Sequence, residues 1–251
     1  MCQASGERGA ALLTCLLSLV LLAAIGSALT LSATTDQHIA ANAGAASEAL
    51  AAAHAAFARA VAELALAPDL TAVLDGSWRS QFVDGAPAGT RPAPGGGTLN
   101  LAEVVGLAGC ARRAGCSTAD LDTVSARRPW GTANPRWALF SHGTLDGTTG
   151  MGARGAPLYV VALVADDPAD GDGNPLRDAT VLGSGSSPGA GVVFVRAEAF
   201  GRRDAHRVVE GAVLRLDLQA AAIWEAADPL TRGPRPVGFP EVQVLSLGEV
   251  R

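Results

Sequence analysis

The sequence predicts an α+β protein in which a long N-terminal helix packs on an antiparallel β-sheet domain. The first observation is that residues 10–67 contain no proline and are rich in alanine, the strongest helix former. The second is that the later part of the chain holds short apolar or alternating segments separated by turn-forming residues. Such strands are typical of antiparallel sheets, whose apolar face needs a helix or another layer to cover it.

The chain divides by pattern into a leader, a helix and a globular domain, at residues 1–9, 10–67 and 68–251. Residues 10–31 form an apolar run of about 22 residues, which is long enough to cross a bilayer. A secretory signal peptide would have a shorter apolar core and then a cleavage site. The helical pattern continues instead. We therefore expect residues 10–31 to span a membrane and residues 32–67 to form an amphipathic helix.

The amphipathic part carries one narrow apolar stripe. Its members recur at steps of three and four residues: Ile39, Ala43, Ala46, Leu50, Ala53, Phe57, Val61 and Leu64. Pro68 is expected to end the helix, because proline has no N–H to donate and its ring clashes with the preceding turn.

Composition and motifs argue against nucleic-acid binding and against an enzyme. The formal net charge is −5, which gives no basic footprint for nucleic acid. A G-x-S-x-G pattern includes Ser187, but Pro188 follows it and has no N–H to stabilise an oxyanion. The four histidines are expected to be isolated and exposed: His38, His54, His142 and His206. We expect no catalytic residues.

The charges around the apolar run predict its orientation, and the orientation bears on two cysteines. Glu7, Arg8 and the α-amino group precede the run and give a small positive excess, whereas Asp36 follows it. The positive-inside tendency then keeps the leader in the cytoplasm and exports the body. In an oxidising compartment Cys110 and Cys116 can pair, so we expect a disulfide between them.

The globular domain is expected to begin with a loop, continue with two short helices and end in strands. The Gly/Pro-rich stretch 84–97 predicts a mobile surface loop. Helices are predicted to start at Asn100, with Glu103 completing a capping box, and at Ser117. Strands are predicted over Trp137–Phe140, Pro157–Val164, Gly191–Phe200, Arg207–Leu218 and Pro240–Leu247.

One acidic segment, residues 166–178, is dense in oxygen ligands. Its alternating acids match the first half of a calcium-binding loop, in which several hard oxygens converge on one ion. The candidate ligands are Asp167, Asp170, Asp172, Asn174 and Asp178. Pro175 stands where an EF-hand has its turn glycine, so the alternative is a solvated acidic loop rich in turn formers.

Several stretches resemble PilX-type minor pilins. The N-terminal ones are residues 6–22, with the polar leader running into the apolar helix, and 40–42. The body stretches are 116–122, 128–131, 134–137, 165–178, 196–201 and 207–210. The resemblance implies a pilin-like fold and a subunit of a type IV pilus or a related secretion pseudopilus.

The resemblance also implies processing, location and partners. A prepilin peptidase would cut after Gly9 and leave Ala10 as the new N-terminus, where Phe or Met is usual in major pilins. The subunit would sit in the inner membrane with a periplasmic body, and would then join other pilin subunits through its helix. Thr14 stands where major pilins carry a Glu that pairs with a neighbour's N-terminus. Its presence implies a subunit that does not repeat along the shaft.

Two other functions remain open at this point. The chain could be a signal-anchored envelope adhesin or sensor that never enters a filament, or an anchored hydrolase. The continuation of the apolar stripe beyond the membrane run favours the filament subunit, because a simple anchor does not need it. The lack of a recognisable nucleophile and base argues against the hydrolase.

Overall fold

A computed structural model describes residues 7–145, 157–179, 191–216 and 241–250. The chain forms two compact units, Met1–Gly44 and Ala45–Arg251. Helix α1, Glu7–Leu64, contributes residues to both. The remaining helices are α2 (Leu70–Leu74), α3 (Leu101–Cys110) and α4 (Thr118–Asp122). The strands are β1 (Thr90–Ala93), β2 (Gly97–Asn100), β3 (Ala138–Leu145), β4 (Leu158–Asp166), β5 (Val192–Phe200), β6 (His206–Leu216), β7 (Glu241–Val244) and β8 (Gly248–Val250).

The long N-terminal helix is confirmed, with both ends about one turn from the prediction. It stops at Leu64 and tightens before Pro68, where the N–H of Ala67 donates to the carbonyl of Leu64 at 3.3 Å. This shorter-range bonding is common in a final helical turn. The residue before a proline is also disfavoured in the α conformation, which explains the early end.

The antiparallel sheet is confirmed as well. Six described strands form it in the order β3-β4-β5-β6-β7, with β8 also beside β6. Each of the predicted strand segments overlaps one of these strands, and every pair is antiparallel. β3 runs five residues beyond the predicted end at Phe140, because it pairs with β4 as far as Leu145 opposite Leu158. The α+β class is therefore established.

The predicted mobile loop at 84–97 is wrong in its second half. β1 and β2 pair there as a short hairpin, with Thr90 opposite Asn100. Gly95 and Gly96 lie in the turn with φ of 102° and 103°, a backbone region that glycine enters without steric cost. The glycines that suggested disorder therefore form a tight turn.

Both predicted helix starts carry caps. The side chain of Asn100 accepts a hydrogen bond from the N–H of Ala102 at 3.0 Å, while Glu103 pairs with Arg113 instead of closing the expected box. Ser117 forms the complete box with Asp120. Short polar side chains at these positions satisfy amide groups that the first helical turn leaves free.

The sheet of the second unit is covered on both faces. α1 and α2 lie over one face, where the core includes Val160, Ala162, Val164, Val193, Val195 and Val209. α3 covers part of the other face, with a smaller core of Leu101, Val104, Tyr159, Val161 and Leu163. β4 is buried along its whole length, which explains its continuous apolar run.

The buried face of α1 contains part of the predicted stripe and adds alanines beside it. Its buried residues in the second unit are mainly alanines: Ala45, Ala49, Ala52, Ala53, Ala56, Phe57, Ala60 and Leu64. Leu50 and Val61 lie at its margin, and Ile39 in the first unit is 61% exposed. Small side chains allow the helix backbone to approach the sheet closely. The predicted stripe is therefore right for Ala53, Phe57 and Leu64 and misses five buried alanines, because an alanine-rich helix has several apolar faces.

Candidate functional site

The first unit presents an apolar helical surface. α1 is long and apolar enough to cross a membrane, with a mean hydropathy of 2.5 over its most apolar window, which is 0% buried. No charged residue occurs between Arg8 and Asp36. The large exposed side chains include Leu12, Leu16, Val20, Leu22, Ile25 and Leu29. Such a surface in water is unfavourable, so it is suited to lipid or to another apolar surface.

The predicted processing site lies at the start of the same helix. Ala10 is exposed, and α1 passes through the Gly9–Ala10 bond. The hydroxyl of Thr14 donates to the carbonyls of Ala11 at 2.9 Å and Ala10 at 3.2 Å. Thr14 is therefore satisfied within its own helix and needs no polar partner from another chain.

Among its described residues, the second unit contains one cluster of acidic side chains that could hold a metal ion. Oxygens of Asp166, Asp170 and Asp172 all lie within 4.8 Å of one another. Asp166 is the last residue of β4 and is 2% exposed; Asp170 is 4% exposed and Asp172 is exposed. The loop begins with a short 3-10 helix, Pro168–Asp170, which turns the chain back toward the end of β4.

The surroundings of the acidic cluster raise the pKa values of carboxyl groups within and beside it. Burial raises the pKa of the Asp166 carboxyl to about 8, and repulsion from Asp170 and Asp178 adds to the rise. Burial also raises the pKa of Asp178 to about 6. Asp166, Asp170 and Asp178 therefore share a poorly hydrated region in which their negative charges are unfavourable.

The predicted ligand set is brought together only in part. Asp170 and Asp172 belong to the cluster. Asp167 instead accepts a hydrogen bond from the N–H of Ala169 at 3.0 Å, and Asn174 accepts one from Leu176 at 3.2 Å. The carboxylate of Asp178 accepts a hydrogen bond from Gly191 at 2.7 Å and lies close enough to repel Asp170.

Asp166 is the cluster member that sequence reasoning missed. It shares its strand face with Val160, Ala162 and Val164, because side chains two residues apart point to the same side of a sheet. This face is the one that α1 covers, so the carboxylate enters a buried region. Counting by twos along the apolar run would have marked Asp166 as buried and Asp167 as outward.

The predicted disulfide is present. Cys110 at the end of α3 is bonded to Cys116 just before α4. The guanidinium of Arg128 closes the same region by donating to the carbonyls of Gly109 at 2.6 Å and Asp120 at 3.2 Å. These contacts hold together two short helices that share little apolar core.

The prediction of isolated, exposed histidines is wrong for His142, and His206 is exposed as predicted but pairs with Glu198. His142 lies in β3, is 1% exposed, and its Nδ1 is 2.7 Å from Oδ1 of Asp84. The hydroxyl of Tyr159 donates to the same Asp84 oxygen at 3.2 Å. A buried ring of this kind has no access to a substrate, so we interpret the group as structural. A backbone bridge between Val83 and His142 places the His142 and Asp84 side chains together, which sequence spacing alone could not reveal.

A second charged group lies on the face of the sheet that α3 leaves partly open. Glu198 is 4% exposed and pairs with Arg196 at 2.7 Å and with His206 at 2.7 Å. Arg196 also reaches Glu210 at 3.1 Å, and the His206 ring stacks on Phe200 with centroids 4.5 Å apart. Every buried charge in this group has a partner, which is the usual condition for burying charge.

Ser187 of the rejected nucleophile pattern lies outside the described residues.

Comparison with known proteins gives no lead: no family model, no curated protein and no solved structure matches this chain.

Proposed function

We propose that this chain is a minor pilin or pseudopilin, a non-enzymatic structural subunit that primes or tips a type IV pilus-like filament. One observation carries the proposal: a single helix, α1, is apolar and exposed over its first part and packs on an antiparallel sheet over its last part. A helix of this kind can be held by inner-membrane lipid before assembly and by other pilin subunits afterwards. The pilin-like fold is part of the same proposal.

The topology follows from the charges around the apolar segment. The leader stays in the cytoplasm, the segment crosses the inner membrane once, and the globular unit lies in the periplasm until assembly carries it to the cell surface. The Cys110–Cys116 disulfide supports an oxidising location for that unit. A prepilin peptidase cuts after Gly9, so that Ala10 begins the mature chain.

Thr14 supports a minor rather than a major subunit. A carboxylate in lipid is costly and is kept where a partner neutralises it. The Thr14 hydroxyl is satisfied by the carbonyl of Ala11, so this subunit does not depend on the amine of a neighbouring copy. That property suits a position occupied once, at the start or tip of a filament.

The test compares processing with filament incorporation. The full chain is expressed with and without a prepilin peptidase, and membrane-extracted protein is analysed by intact mass. We expect a mature chain that begins at Ala10 only when the peptidase is present. Gly9→Val is expected to block the cut, because a branched side chain then occupies the cleavage position. Gly26→Val is the matched control, since a Cβ there meets nothing within 4 Å.

Sheared surface filaments then separate the alternatives. The mature chain is expected in the sheared fraction, and the Gly9→Val chain only in membranes. A chain that is never cut after Gly9 would overturn the proposal. A chain that remains entirely in the membrane fraction of a piliated host would instead support a signal-anchored envelope protein.

A further inference from the structure

We infer that the acidic loop after β4 is a calcium site whose protein ligands are the carboxylates of Asp166, Asp170 and Asp172. The inference depends on this loop alone. It can therefore fail while the proposed filament function stands, and the reverse is also true.

The first step is the geometry of the three carboxylates. One oxygen from each lies within 4.8 Å of the other two. Calcium binds carboxylate oxygens at about 2.3–2.6 Å, so two ligands on opposite sides of one ion are about 5 Å apart. All three oxygens are thus close enough to share a single ion, without a change in the path of the loop.

The second step is an unsatisfied atom. Oδ1 of Asp166 is buried and meets no hydrogen-bond donor among the described residues. A buried polar atom without a partner is unfavourable, and a buried carboxylate more so. The strongest charged neighbours of this atom's carboxyl group are other carboxylates, Asp170 and Asp178. A cation between them would satisfy the orphaned oxygen and remove the repulsion at once.

The third step is that the loop holds its ligands in place. Oδ1 of Asp170 accepts a hydrogen bond from the N–H of Asp172, and Oδ2 accepts one from the N–H of Ala179, both at 3.2 Å. The N–H of Asp178 donates to the hydroxyl of Thr71 in α2 at 3.3 Å, which ties the loop to the helical layer. The carboxylate of Asp170 is therefore oriented, and the loop anchored, before an ion arrives.

The chemistry of the ligands selects the ion. An all-carboxylate set suits a hard cation and disfavours zinc or copper, which prefer nitrogen and sulfur. Calcium tolerates irregular oxygen cages and takes six to eight ligands, whereas magnesium requires a near-ideal octahedron. Asp172 is exposed, so water can complete the shell from that side.

The experiment uses the full chain in detergent, stripped with chelator and titrated with calcium chloride by calorimetry and by thermal melting. We expect saturable binding of one ion and a rise in melting temperature. Asp172→Asn should raise the Kd by about tenfold or more, because ligand charge sets affinity at such sites. Asp172 is exposed, so this variant should fold even where Asp166→Asn does not.

The matched control is Asp167→Asn. It removes the same charge one residue from Asp166, and its amide oxygen can still accept the hydrogen bond from Ala169. We expect its Kd to stay within about twofold of the wild-type value, since the side chain lies outside the ligand set. An equal loss of calcium affinity in Asp167→Asn and Asp172→Asn would overturn the site. It would show that calcium is attracted by the overall charge of an acidic loop.

The site would also be overturned if calcium up to about 10 mM, the weak end of extracellular calcium sites, gave no binding heat and no shift in melting temperature. A binding heat and melting shift that are unchanged in Asp172→Asn would overturn it as well. Equal binding heat and melting shift with magnesium would remove the assignment to calcium.

Discussion

The imidazole of His142 and the carboxylate of Asp84 form a hydrogen bond of 2.7 Å that joins residues 58 positions apart. The backbone follows the same pairing: the N–H of His142 donates to the carbonyl of Phe82 at 3.0 Å, and the N–H of Asp84 donates to the carbonyl of His142 at 3.2 Å. The segment after α2 is therefore attached to the outer edge of β3. Covering an edge strand in this way protects it from pairing with other chains.

Removing the Asp84 carboxylate should loosen this edge. Asp84→Ala leaves the buried His142 ring and the Tyr159 hydroxyl without their acceptor, and Arg91 without its ion pair. We expect the free energy of unfolding to fall by about 1–3 kcal/mol, the usual cost of orphaning a buried donor. Denaturant unfolding of the full chain in detergent measures it.

Glu103→Ala is the control for that variant, because it removes a carboxylate from a surface ion pair with Arg113. Exposed pairs contribute about 0–1 kcal/mol, so its loss should be the smaller one. Equal losses in the two variants would show that the Asp84 group is no more than a surface contact.

The fold was more predictable from sequence than the positions of its polar groups. β4 has a continuous apolar run, β6 has an alternating pattern, and α1 has a long uninterrupted helical pattern. These are local signals that can be read from the sequence. The partners of His142, by contrast, depend on which strand lies beside which, and no local pattern encodes that. The buried alanines beside the predicted stripe of α1 were missed for a related reason. The sheet determines which face of the helix is buried, and an alanine-rich helix has several faces that could be.

The acidic loop shows the same division. Its composition was visible from sequence, and two of the predicted ligands, Asp170 and Asp172, do lie together. Asp166 was missed because the alternating motif was given more weight than the position at the end of a buried strand. The side-chain oxygens of Asp167 and Asn174 accept hydrogen bonds from nearby backbone N–H groups. These local hydrogen bonds compete with metal binding for the same oxygens, and the spacing of the ligands in the sequence does not reveal them.

Glu198 should make stability depend on acid pH. Burial alone would raise the pKa of Glu198, but the hydrogen bond from His206 and the charge of Arg196 bring it below its usual value of 4.5. The unfolded state then binds the proton more readily, so this contribution to stability is present above the unfolded pKa and is lost as pH falls through the folded pKa. Melting temperature should therefore drop between about pH 5 and about pH 3.

Glu198→Gln tests that assignment. At neutral pH the variant should be less stable by about 3 kcal/mol, because Arg196 loses its buried charged partner. Toward about pH 3 the difference from wild type should narrow, since the wild-type carboxyl is then protonated too. Thermal melts across this range measure both effects. A wild-type and a variant curve that stay parallel down to the lowest pH would contradict the prediction.

The disulfide should stabilise the second unit although its loop is short. Replacing both Cys110 and Cys116 by alanine should lower the free energy of unfolding by about 2–3 kcal/mol, the chain-entropy value for a loop of this length. Cys15→Ala is the control, because that thiol is exposed in the first unit and unpaired. Non-reducing peptide mapping checks the bond in the wild-type protein. Alkylation of both thiols in protein taken from its native compartment would contradict it.

Among the described glycines, Gly211 of β6 leaves the least room for an added Cβ. A Cβ at this position would lie 2.2 Å from the carbonyl oxygen of Ser246 and 3.0 Å from Cζ of Phe57 in α1. Gly211→Ala should therefore destabilise the protein by about 1–3 kcal/mol or more, because the backbone at Ser246 must move. Gly44→Ala is the matched control: nothing lies within 4 Å of its added Cβ, and alanine favours a helix by about 0.5–1 kcal/mol over glycine.

A double variant separates the two contacts at Gly211. Phe57 can rotate or be shortened, whereas the Ser246 carbonyl is held while the N–H of Ala212 donates to the Ser246 hydroxyl at 3.1 Å. Phe57→Leu should thus fail to restore the stability lost in Gly211→Ala, and the coupling in a double-mutant cycle should be much smaller than the loss caused by Gly211→Ala alone. Unfolding of the four proteins in detergent measures the coupling. If Phe57→Leu rescued the variant, the helix contact rather than the strand backbone would set the limit at this position.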